Sequence, residues 1–190
     1  VLILIGVAVG VLYSDSSRSE EVASDDVPSV FQAVPSDALL IAYGKASRIC
    51  PLSDALADEM KRCDAAVSLH YSGKLHSLCV VDVRKVDALV LDALQKYLSG
   101  EGKFMAHENN LLIFSSSENI LKSAVRHLSE GISIQNAPGF IDAHKSVKGQ
   151  NVILVPGVHA RRLMTSVFTS KVYKHASFLS KIADWHAFKV

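Results

Sequence analysis

Few of the features that announce a chemistry are present in this 190-residue chain. Cysteine occurs only at 50, 63 and 79, an odd number whose spacings fit neither a zinc ribbon nor a two-cysteine redox motif, and which cannot pair completely. No excess of either charge exists: 20 Lys and Arg stand against 19 Asp and Glu, which leaves no bulk field to collect nucleic acid. Aromatic residues make up only 7%. There is no G-x-S-x-G elbow, no H-E-x-x-H pair and no dinucleotide fingerprint. What the chain does have is apolar mass. It is 49% hydrophobic with a mean hydropathy of +0.24, which excludes a disordered polar tail and suits one domain with a tether.

The first 13 residues, VLILIGVAVGVLY, carry no charge. A helix of that length reaches about 20 Å at 1.5 Å per residue, short of the roughly 30 Å hydrocarbon core. A few more apolar residues upstream complete a membrane-spanning helix, so residues 1–13 read as an incomplete transmembrane anchor. No small-x-small cleavage site follows the apolar run, which favours an uncleaved anchor over a signal peptide. Residues 14–27 hold five acids and one arginine among serines and alanine, the composition of a polar, solvated linker. Arg18 as the sole basic residue at the helix exit is compatible with an extracytoplasmic side.

Residues 28–190 read as an α+β globular domain, cut short at its C-terminal end. Short apolar runs at 38–43, 65–71, 75–83, 103–107, 111–115, 152–155 and 185–190 are strand-like. Helical patterns lie at 51–62, 85–98, 118–129 and 140–147, with further helical material over 160–183. In the second of these, Val86, Leu89, Val90, Ala93, Leu94 and Tyr97 form the expected apolar face. Ser72-Gly73-Lys74 and Glu108-Asn109-Asn110 mark two hairpins. The resulting α-β-β repeat predicts a mostly antiparallel sheet with helices on one face, in ferredoxin-like order.

Candidate chemistry is sparse. His70 and His76 face each other if the Ser72–Lys74 hairpin is tight, and two neutral imidazoles can ligate zinc or copper, but a catalytic zinc site needs a third ligand. They are the only metal-site candidates, and two surface histidines is the simpler reading. Cys79 lies in an apolar run and reads as core; Cys50 and Cys63 bracket the first predicted helix, about 20 Å apart if that helix is regular, too far for a disulfide. A cysteine nucleophile needs a base, for which His70 is the only nearby residue. Gly100-Glu101-Gly102-Lys103 lacks the spacing and the preceding strand of a phosphate loop and reads as a turn. Arg161, Arg162, Lys171, Lys174 and Lys181 do not line one helical stripe, so no nucleic-acid patch is expected. Phe31, Phe140, Phe168, Phe178 and Trp185 read as packing residues. No cofactor is implied.

The anchor, the tether, the segment Val34-Pro35-Ser36-Asp37-Ala38-Leu39-Leu40-Ile41, the segment Asn151-Val152-Ile153-Leu154 and the late Phe178–Trp185 stretch together resemble a Bacteroidetes membrane-anchored family, domain-of-unknown-function family 3352. The resemblance implies a single membrane helix, a "VP-x-DA" strand entry and a following propeller-like region; it implies no catalytic residue. The expectation is therefore a single-pass membrane protein with a periplasmic domain that binds or scaffolds an envelope protein. The alternatives are a small-ligand or lipid-binding module on the concave side of the sheet, and a metal enzyme built on His70 and His76.

Overall fold

The computed structural model describes residues 27–147, 151–159 and 183–189. The expected anchor at 1–13, the linker up to residue 26 and most of the helical material expected at 160–183 lie outside the described residues, as do Phe168, Phe178 and all five basic residues weighed above. Val27, the last linker position, is half-buried and packs on the core.

A 3-10 turn, Ser29–Ala33, precedes β1 (Leu40–Lys45). Two short helices, α1 (Ala46–Ile49) and α2 (Asp54–Glu59), and a 3-10 turn lead into β2 (Asp64–Ser72), which turns tightly through Gly73 into β3 (Lys74–Asp82). Then follow α3 (Ala88–Gly100), the hairpin β4 (Phe104–Glu108) and β5 (Leu111–Ser115), α4 (Glu118–Glu130), α5 (Phe140–Ser146), β6 (Val152–Pro156) and β7 (Trp185–Lys189). The seven strands form one sheet in the order β4-β5-β3-β2-β1-β6-β7, and every neighbouring pair is antiparallel. The α+β class is thus as expected, and so are both hairpins. Asn109 and Asn110, at positive φ, make the second turn as expected.

Two expectations are corrected. The ferredoxin-like order requires β1 and β2 to be separated, parallel partners of a crossover; instead they are adjacent and antiparallel, with Lys45 opposite Asp64. The reason is local. The amide of Ala46 donates to the carbonyl of Cys63 at 2.9 Å, so the excursion between the strands returns to the point where it left. Nor do the helices lie on one face. Strand side chains alternate between faces, and on β3 Leu78 and Val80 join one buried cluster while Cys79 and Val81 join another. The first face is covered by the Ser29–Ala33 turn, α4 and α5, through Phe31, Ile120, Leu121, Ala124 and Phe140. The second is covered by α1, α2 and α3, through Ala46, Leu56, Leu94 and Leu98. The result is three layers.

Local signals account for the helix ends. Asp87 caps α3 by accepting from the Leu89 amide, and Gly131 ends α4 at φ +67°, a conformation that glycine adopts without cost. The Gly100–Lys103 stretch is the turn that its sequence indicates: Gly102 has φ +65° and the Lys103 amide closes on the Leu98 carbonyl. Gly157 is required for a different reason. Its amide donates to the Asp184 carbonyl, and a Cβ there would lie 2.1 Å from the carbonyl oxygen of Ala183.

Candidate functional site

Ser68 and His70 stand two residues apart on β2, so both point to the first face. The loop before β1 is drawn against this strand by the amide of Leu39, which donates to the Leu69 carbonyl at 2.8 Å. That contact brings Asp37 to the imidazole. His70 Nδ1 lies 2.9 Å from Asp37 Oδ1, and His70 Nε2 lies 2.8 Å from Ser68 Oγ. A carboxylate accepts only, so Nδ1 carries a proton and donates it to Asp37; in the neutral ring Nε2 then accepts from the Ser68 hydroxyl. When the ring is doubly protonated, the hydroxyl rotates and accepts instead, so both protonation states are fully bonded.

The order Ser–His–Asp, with these nitrogens in these roles, is that of a nucleophile, its base and the group that orients the base. Access decides what it can do. Ser68 and His70 are both 0% exposed, whereas the Asp37 carboxylate is 68% exposed. The hydroxyl therefore has no surface for a substrate carbonyl, and the arrangement acts as a buried polar pin joining the loop before β1 to the centre of the sheet. The hydrogen bond from His70 is the main reason that the Asp37 carboxyl is held below its ordinary value; partial burial opposes it, and the charges of His70 and His127 assist. His127, on α4, has a buried Nδ1 without a hydrogen-bond partner among the described residues.

The tight hairpin does pair His70 directly with His76 on the same face of the sheet, but they are not the two surface histidines expected. His70 is wholly buried, because Asp37 and Ser68 bond both of its ring nitrogens, and His76 is partly exposed. Both ring nitrogens of His70 are already engaged, so a cation between the two rings has to displace Asp37 or Ser68. Among the described residues no group of three His, Cys, Asp or Glu side chains is arranged to hold a metal. His144, on α5, is partly packed. It lies against Phe31, Tyr43 and Phe140, and burial, with Lys145 beside it, lowers its pKa.

The three cysteines differ from their expected arrangement. The segment between Cys50 and Cys63 is broken into short pieces and folds back, so Cys50, Cys63 and Cys79 share one buried cluster on the second face. His70 lies on the other side of the sheet and cannot serve any of them as base. At the open end of the first face lies a charged group: Lys45 pairs with Asp64 at 2.8 Å, and Asp82 accepts from Ser29 and Arg84. Burial raises the Asp82 carboxyl, but the bonds from Arg84 and Ser29 outweigh it and leave it lowered. Burial, with Asp64 and Asp82 nearby, pushes the Tyr43 phenol well above its usual range.

Sequence reasoning named His70 but missed Ser68 and Asp37. The Ser-x-His spacing on a strand was the available signal for the first. Asp37 lies 33 positions from His70 and meets it only through the β1–β2 register. No protein-family model, curated protein or solved structure matches the chain.

Proposed function

We propose that the chain is a membrane-tethered, extracytoplasmic domain of the cell envelope that works by binding or scaffolding and not by catalysis. The observation that carries the non-catalytic part is the closure of the Ser68–His70–Asp37 array: the two groups that would do chemistry are wholly buried and already satisfied. The location rests on the apolar run at 1–13 and on Arg18 as the sole basic residue in the tether after it. The resemblance to domain-of-unknown-function family 3352 is part of the same proposal. A binding role also agrees with where apolar side chains are exposed. Among the described strands, Phe104 lies on β4 at one end of the sheet and Phe188 on β7 at the other. A lipid module using a bare sheet face is the weaker alternative, because helices pack on both faces.

Two measurements test the reading. In cells whose outer barrier is permeabilised, added protease is expected to cut within residues 14–27, leaving the apolar stub in the membrane fraction. Protection until the inner membrane is lysed overturns the location. A fluorophosphonate probe is expected to leave the folded protein unlabelled; labelling that disappears in Ser68→Ala establishes a reactive serine and overturns the non-catalytic reading.

A further inference from the structure

The aromatic cluster of the first face is separate from the Ser68–His70–Asp37 array, and one of its members can change charge. His144 meets rings from three elements. Its ring centroid lies 5.2 Å from Phe31 in the Ser29–Ala33 turn, 5.7 Å from Tyr43 on β1 and 6.3 Å from Phe140 on its own helix. Phe31 in turn packs on Tyr43 at 5.2 Å and on Phe140 at 5.1 Å. The imidazole therefore ties α5 to the turn and to β1. Beside it, the helix is held by the wholly buried Phe140 and by the partly buried Ala143 and the flanking Val147. A seven-residue helix with one fully buried side chain is the kind of unit that opens locally.

Little among the described residues favours the charged form of this ring. On α5 itself, Lys145 beside it is positive, and Asp142, two residues back, does not share its side of the helix. The Ser29–Ala33 turn, the Ile134–Asn136 turn and β6 hold no ionisable side chain. From β1 comes the Tyr43 phenol, which stays protonated, and Lys45, which is paired with Asp64. From β7 comes Lys189, another cation, while His186 alternates onto the second face. Burial is the first cause of the lowered His144 value and Lys145 the second.

We propose that His144 is an acid-operated latch: a proton on its ring loosens α5 from the turn and from β1, and residues 138–147 open while the sheet stays folded. Opening returns the imidazole to water, where a histidine titrates near pH 6.5. The closed form takes the proton only at lower pH, so the open form binds it first. Opening therefore becomes easier as pH falls from about 6.5 through the closed-form value, and above that window the neutral ring holds in full. One proton changes the opening equilibrium by at most about tenfold per pH unit. The Asp37 linkage lies lower, from about pH 4 downward, so the two are separable. The inference depends neither on the proposed location nor on a binding role.

Trp185, the one tryptophan of the chain, reports on this segment. Its ring lies across Phe140 at 5.3 Å, and its Nε1 donates to the Pro138 carbonyl at 2.9 Å. The test follows amide hydrogen exchange of the full chain between about pH 7.5 and about pH 5, with each rate corrected for its intrinsic pH dependence, together with Trp185 emission. Protection over 138–147 is expected to fall with acidity while β2 and β3 keep theirs, and the emission to shift to the red in the same window. His144→Phe keeps an aromatic ring without the proton, so both changes should vanish. Protection over 138–147 that stays constant or rises on acidification overturns the latch, as does a fall shared equally by β2 and β3, or a His144→Phe variant that still responds. Where that variant does not fold, the exchange map of the unmodified chain decides, with the titration midpoint of the His144 ring. A midpoint below about 6.5 is expected, and one at or above it overturns the proposal.

Discussion

At the scale of single residues, the Asp37–His70 bond ties stability to pH. An unfolded aspartate titrates near pH 3.9, and Asp37 is held below its ordinary value in the fold, first by the hydrogen bond from His70. Above the unfolded pKa both states are ionised and the bond contributes in full. As pH falls, the unfolded chain takes up the proton first, so this contribution is lost from about pH 4 downward, through the folded pKa. Asp37→Asn is therefore expected to be less stable than the parent in urea at pH 7, with the gap narrowing towards pH 3. A gap that stays constant over that range would show that the carboxylate is not linked to folding. The buried half of the array answers to different physics. Removing the imidazole leaves the Ser68 hydroxyl without the partner it has at 0% exposure, and an unsatisfied buried polar group costs about 1–3 kcal/mol.

At the scale of the element, α3 shows what periodicity reveals and what it leaves open. The apolar face expected from Val86 to Tyr97 includes both Leu89 and Leu94, and the structure separates them: Leu94 is 0% exposed and Leu89 is 81% exposed. Leu94→Asp puts a charge into the second-face cluster and should cost several kcal/mol, enough to unfold a marginal domain. Leu89→Asp should change stability by about 0.5 kcal/mol or less. Urea midpoints compare them, and equal effects would place the buried stripe elsewhere on the helix. The helix itself was legible because its pattern is local; the side that faces the sheet was not, since the buried stripe runs through Leu91, Leu94 and Leu98 and leaves Leu89 and Ala93 exposed. The same division holds elsewhere. Gly131, Gly73 and the Asn109-Asn110 turn announced α4 and the two hairpins through backbone chemistry alone. The break of the expected 51–62 helix was hidden, because Leu52, Leu56 and Met60 keep helical spacing and all pack on the same cluster although the helix between them is discontinuous. His70 was legible by residue type. Its partner Asp37 was not, because a contact made by register leaves no trace in spacing.

For the whole molecule, the decisive feature is a sheet used on both faces. Had the helices covered one face only, alternate residues of β3 would meet solvent, and Val80 and Val81 would differ sharply in their response to truncation. Instead Val80 faces the cluster under α4 and Val81 the cluster under α3, both without exposed surface. Val80→Ala and Val81→Ala should each therefore destabilise the domain by roughly 1–3 kcal/mol, from lost transfer energy and the cavity left behind. Guanidinium unfolding of the two variants measures this directly; a neutral result for either one places its face in water and removes a layer. The arrangement also bears on how the domain meets other molecules. Among the described residues, with both faces covered, β4 and β7 are the strands at the ends of the sheet, and each carries an exposed phenylalanine, Phe104 and Phe188. If the domain binds a partner as proposed, its contacts fall along those edges and on the outer surfaces of its helices, while the sheet between them is pinned by Asp37, His70 and Ser68.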